Sequence, residues 1–121
     1  MTKIFVYGTL KKDYHNHYII EDETYIGKGI LKKENRFKMV SMGAFPAIVP
    51  ATVGEAKDIE GEIWDISENG FKKVDLLEGF PVFYWRDQFN IDAEDRRHLC
   101  WVYYLQHQKA KNMHLPEVVN F

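Results

Sequence analysis

One long stretch of this chain, and only one, repeats its apolar residues at helical spacing. The fold is therefore expected to be a set of strands with a single main helix against them. The stretch opens at Ser67, a residue suited to an N-cap, with Glu68 inside the first turn where an acid complements the helix dipole. It closes at Gly79, the residue type that ends helices in a left-handed turn, and Pro81 forbids continuation. Between those ends Phe71, Val74 and Leu77 form one apolar stripe expected to pack inward. Lys72, Lys73 and Asp75 read as solvated surface. Glu78 does not, because at roughly 100° per residue it lies within about 20° of Phe71 and about 40° of Val74.

An acid on the packed face is held near neutrality by three effects of the same sign. Burial disfavours the charged form, the helix C-terminus carries partial negative charge, and Asp75 three residues back adds like charge. A carboxyl group tuned in this way suits a general base or acid. Two structural readings stand beside that one. Glu78 could turn outward at a frayed helix end, or it could pair with a cation such as Arg86.

With 121 residues the chain is read as a single domain, residues 1–121, large enough to bury a core. Its 45% hydrophobic and 15% aromatic content excludes a disordered polymer. A net charge of −2, with Lys and Arg scattered in short pairs, gives no electrostatic case for nucleic acid. The single cysteine, Cys100, excludes an internal disulfide and suits a reducing compartment. Residues 4–7 are too short an apolar run for a signal peptide, and nothing approaches a membrane span, so the cytoplasm is the expected location. His98, His107 and His114 lack metal-ligand spacing with one another or with Cys100, and His15-Asn16-His17 reads as chance adjacency. No metal and no cofactor is expected.

Residues 3–7 read as a strand buried on both faces that runs into a loop, Tyr7-Gly8-Thr9-Leu10. Such a loop can turn its backbone N–H groups toward an anion, although an ordinary strand-to-turn glycine explains the same letters; it is not a P-loop. Residues 16–21 are expected to form a short helical turn carrying Tyr18 and Ile19 inward. Residues 25–31 have strand composition, with Gly27 and Gly29 marking a bulge or bend of a curling sheet. Residues 36–42 read as a strand, and residues 45–50, bracketed by Pro46 and Pro50, as an edge strand or a wall-lining loop. Residues 51–60 read as a loop and residues 61–66 as a strand. Residues 84–91 and 99–105 form a hairpin across a charged turn. Cys100 is expected to be an inert buried thiol, and the tail from 106 is unassigned. The sum is an α+β domain: a small, mixed, curled sheet closing toward a barrel, with the main helix and the short one outside and a cavity at its mouth.

Taken in order, these segments resemble the γ-glutamylcyclotransferase-like superfamily, in its γ-glutamylamine cyclotransferase and AIG2-like branch. Tyr7-Gly8-Thr9-Leu10 is similar to the opening signature, and Asn16-His17 to the pair that often follows. Phe45-Pro46-Ala47 resembles the aromatic-Pro-Ala segment, and Gly61-Glu62-Ile63-Trp64 the Gly-Glu-Val-Tyr strand. Asp75-Leu76-Leu77-Glu78-Gly79, with Pro81, Tyr84 and Arg86, resembles the most telling block, and Val102-Tyr103 the last strand. Lys11-Lys12-Asp13 replaces the Arg-Gly often seen after the first loop.

The resemblance implies a cofactor-independent enzyme, of transferase or lyase type, that cyclises a small-molecule γ-glutamyl amide to 5-oxoproline and releases an amine. Glu78 would be the catalytic base and acid. Tyr7, Gly8, Thr9 and Leu10 would bind substrate through their backbone, with Tyr84 and Arg86 as further binding residues. For Tyr84 a plain core position, and for Arg86 an ion pair or the surface, remain open. So do two other functions: a binding module that keeps the pocket without turnover, and a γ-glutamyl-processing enzyme of a biosynthetic route.

Overall fold

The structure, a computed structural model, describes residues 2–106 and 116–118. Along the chain it comprises β1 (Thr2–Val6), β2 (Thr24–Leu31), β3 (Phe37–Ser41), β4 (Pro46–Pro50), β5 (Ile59–Ile66), α1 (Glu68–Glu78), β6 (Tyr84–Ala93), β7 (Arg97–Leu105) and β8 (Glu117–Val118). Short 3-10 turns occupy His17–Ile19 and Lys33–Asn35. Five strands close a barrel in the order β1-β5-β2-β6-β7. All of its neighbours are antiparallel except β1 and β7, which meet in parallel at Ile4 and Trp101. The sheet is thus mixed and closed, as expected.

Residues 36–50 add something the sequence reading did not separate out. They leave the barrel and form a second sheet of order β4-β3-β8. One of its edge strands is β4, where Pro46 and Pro50 lack the N–H groups that a central strand needs. The described part of the tail is β8, laid against Met39 and Val40. Residues 107–115 and 119–121, the rest of the unassigned tail, lie outside the described residues.

Strand β1 is buried on both faces because it separates two cores. Ile4 and Val6 pack with Trp64, Ile66, Val74, Tyr84 and Tyr103, while Phe5 and Tyr7 pack with Leu31, Ile59, Ile63, Ile91 and Val102. Gly61, opposite Gly29 in the β2–β5 ladder, must lack a side chain, since a Cβ there would come within 2.7 Å of the Phe5 ring. The expected bulge in β2 falls between Tyr25 and Gly27.

Helix α1 is fixed at both ends. The Ser67 hydroxyl accepts from the Gly70 amide at 3.0 Å and donates to Glu23 Oε2 at 2.8 Å, while the Ser67 amide donates to Glu23 Oε1 at 3.0 Å. Gly79 ends it at φ 67°, and the amides of Gly79 and Phe80 satisfy the Leu76 and Asp75 carbonyls. Val74 is fully buried. Leu77, expected in the packed stripe, is instead 39% exposed, because the stripe runs off the core where the chain turns at Gly79. Tyr18 likewise points outward, and Ile20 takes the inward position.

Candidate active site

Where β1 ends, the Tyr7–Leu10 loop, the C-terminal end of α1 and the start of β6 surround a cavity of about 150 Å³. That is roughly five times the share of one water molecule in the liquid, room for an amino-acid-sized group. Tyr7, Gly8, Thr9, Leu10, Glu78 and Tyr84 all line it. The sequence reading named these six together, and the fold brings them together.

The loop is held by its own polar groups. Asn16 Nδ2 donates to Thr9 Oγ1 at 2.8 Å, the Asn16 amide donates to the Thr9 carbonyl at 3.1 Å, and His17 Nδ1 donates to the Leu10 carbonyl at 2.9 Å. Among the described residues, no acceptor engages the amides of Gly8, Thr9 and Leu10. These are the groups an oxyanion or carboxylate would use. Gly8 sits tightly: a Cβ would meet Pro46 Cγ at 3.2 Å and Cδ at 3.3 Å, close enough that the proline ring would have to give way slightly. The Tyr7 hydroxyl is already spent on the Tyr103 carbonyl at 2.6 Å, so its ring contributes a wall and not a free hydroxyl.

Glu78 is the last residue of α1 and partly buried. Among the described residues it has no hydrogen-bond or ion-pair partner, and it lines the cavity. Burial first, and the charge of Asp75 second, raise its pKa from the ordinary 4.5 to about 7. Burial raises the Tyr84 phenol well above its usual range, with Glu78 adding to the shift.

Arg86, expected among the substrate-binding residues, is not among the residues that line this cavity. Its guanidinium sits over the rings of Phe80 at 4.1 Å, Phe71 at 4.5 Å and Trp101 at 4.6 Å. It grips Asp75 in a fork, Nε to Oδ1 at 2.8 Å and Nη2 to Oδ2 at 3.1 Å. The alternative of a Glu78–Arg86 pair is therefore not realised. Asp75, assigned to the solvated face, is the true partner, and it also accepts from the Tyr103 hydroxyl at 2.5 Å. Cys100 is buried, and burial pushes its thiol up to about 12. No group of three His, Cys, Asp or Glu side chains fit to hold a metal occurs among the described residues. No described helix is long and apolar enough to cross a membrane.

The profile of the family described as gamma-glutamyl cyclotransferase, AIG2-like, matches residues 4–119. The chain belongs to this family. A Drosophila melanogaster protein provisionally named gamma-glutamylcyclotransferase is 33% identical to it over 112 residues, spanning 86% of this chain and 69% of that one. The gamma-glutamylaminecyclotransferase of Rattus norvegicus is 28% identical over 96 residues, 75% of this chain and 64% of the relative. The crystal structure of an AIG2-like protein from Mus musculus shares the fold, with a TM-score of 0.82 at 24% identity over all of this chain and 88% of that one.

Sequence reasoning did not single out Tyr103 or Phe83 for this cavity. Tyr103 is buried in the core and also lines the cavity, with its hydroxyl anchored by Asp75; its place opposite Arg86 in the β6–β7 hairpin was the available signal. Phe83 stands at the cavity with no pattern in the sequence to announce it. Phe45 and Pro46 line the cavity from the segment read as an edge strand or a wall-lining loop.

Proposed function

We propose that the protein cyclises γ-glutamyl amides to 5-oxoproline, releasing the amine, with Glu78 as the proton shuttle. The observation that carries this reading is the Glu78 carboxyl, poised at about 7 and without a partner among the described residues, in a cavity that Gly8, Thr9 and Leu10 also line. A γ-glutamyl amide brings an α-ammonium, an α-carboxylate and a γ-carbonyl. Ionised Glu78 takes a proton from the ammonium, and the freed amine attacks the γ-carbonyl carbon to form the C–N bond of the five-membered ring. Loop amides stabilise the oxygen as it becomes negative or hold the α-carboxylate. Glu78 then returns its proton to the departing nitrogen as the original amide C–N bond breaks, and the second proton that the ring nitrogen must lose passes by the same carboxylate to the released amine, which leaves as its ammonium. Protons balance, no water is consumed, and no step calls on a metal or redox group.

Tyr84, buried beside Glu78, keeps that region of the wall apolar and can direct its hydroxyl to the substrate. Tyr103, tied through its hydroxyl to Asp75, is a fixed wall against which the glutamyl chain can fold back on itself. The test is incubation of the purified protein with a panel of γ-glutamyl amides, following 5-oxoproline and free amine in equal amounts. Release of glutamate with the amine would indicate hydrolysis and refute cyclisation.

A further inference from the structure

Phe45, Leu77 and Phe83 line the same cavity, each partly open to solvent, whereas Tyr7, Leu10, Tyr84 and Tyr103 are buried. The three come from separate segments: the turn before β4, the end of α1 and the loop before β6. Next to Leu77 and Phe83 in the chain, Leu76 is 83% and Val82 80% exposed, so the apolar surface continues outward from the mouth. Among the described residues, no Lys, Arg or Asp lines the cavity; besides Glu78 and the tyrosines, its described titratable lining is His15.

We infer that Phe45, Leu77 and Phe83 form the subsite for the leaving amine, and that this amine carries an uncharged, apolar substituent. The inference rests on the cyclotransferase reading, because it assigns the polar depth of the cavity to the γ-glutamyl group and the mouth to what departs. An alkyl or aryl group leaving through that mouth covers the open faces of Phe45 and Leu77. A carboxylate beside the scissile nitrogen, as in a γ-glutamyl amino acid, would be desolvated near Glu78 with no arginine or lysine among the described lining to receive it. A leaving amine with charges at its far end gains nothing from the rim.

The test is a series of γ-glutamyl n-alkylamides from methyl to hexyl, with γ-glutamyl-alanine and the ε-lysyl amide beside them. A methylene fully withdrawn from water is worth about fourfold, so kcat/KM should rise roughly two- to threefold per methylene over these partly exposed walls. γ-Glutamyl-alanine and the ε-lysyl amide should fall below the butyl amide. Leu77→Ser should flatten the series, and Leu77→Lys should raise γ-glutamyl-alanine relative to the butyl amide. A flat series, or a charged leaving group preferred over every alkyl one, overturns the inference. If no amide turns over, calorimetric binding of the same series separates the two claims. Affinity that climbs with chain length and is lost in folded Leu77→Ser keeps the subsite while the cyclotransferase reading falls. Binding that ignores chain length, or no binding, rejects the subsite.

Discussion

Arg86 holds Asp75 through two nitrogens, and that pairing leaves Glu78, one helical turn further along, without a counter-ion among the described residues. The two carboxylates of one helix end thus have opposite fates. Asp75 is held by Arg86 in a two-pronged fork, while Glu78 is driven toward neutrality by burial and by the charge of Asp75. This division of labour turns a helix terminus into a candidate acid–base site.

Asp75→Asn should separate the two roles. The substitution removes the like charge beside Glu78 and leaves Arg86 uncompensated, and both changes lower the Glu78 pKa. The acid limb of the pH–activity profile should therefore move to lower pH. Stability should drop by about 1–3 kcal/mol, below the range for a fully buried pair because both side chains keep some contact with water. An acid limb that stays in place or moves upward would remove Asp75 from the tuning of Glu78.

Most of this architecture was legible in local patterns. Ser67, Gly79 and Pro81 bounded the helix because capping chemistry is local, and the glycines of β2 announced the curl for the same reason. Glu78 could be singled out because its face follows from helical geometry alone. What escaped depends on contacts distant in sequence. Asp75 looks like any surface acid until β6 brings Arg86 beside it, and Leu77 looks like core until the chain turns away at Gly79. The second sheet was hidden because one of its strands, β8, comes from a segment with no strand signal of its own.

Gly8→Val should abolish substrate binding in a protein that still folds. A side chain at this position is pushed by Pro46, whose ring atoms lie 3.2 and 3.3 Å from the Cβ site, so the loop must shift and its amides move with it. The check is ligand binding by calorimetry, with the barrel verified by circular dichroism. Normal affinity in a folded variant would return Gly8 to an ordinary turn glycine.

Chelation should leave turnover intact, since the proposed proton transfers use Glu78 alone. Cys100→Ala should be equally active, because the thiol is buried in the barrel core and held protonated by burial. Activity lost to a chelator and restored by added metal would require a different chemistry.

Stability should carry the signature of Glu78 as well. Folded Glu78 keeps its proton up to about pH 7, whereas the unfolded chain releases it near 4.5, so between those values the folded state binds more protons. Stability is then fully present below about pH 4.5 and lost as pH rises through about 7, by at most about 3 kcal/mol and less where the cavity admits water. Urea unfolding across this range should show the decline in the parent protein and its absence in Glu78→Gln. An identical pH dependence in both would place the titrating group elsewhere.

The turnover of Glu78→Gln on a γ-glutamyl amide, measured beside its stability at pH 7.5, tests the central claim most directly. Glutamine keeps the shape and can still hydrogen bond, but it cannot accept and return a proton. General acid–base roles are worth typically ~10²–10⁴-fold, so the rate should fall at least a hundredfold, while stability holds or rises because a buried, unpaired charge is gone. A Glu78→Gln protein that is clearly less stable, yet still forms 5-oxoproline at the parent rate, would contradict the assignment.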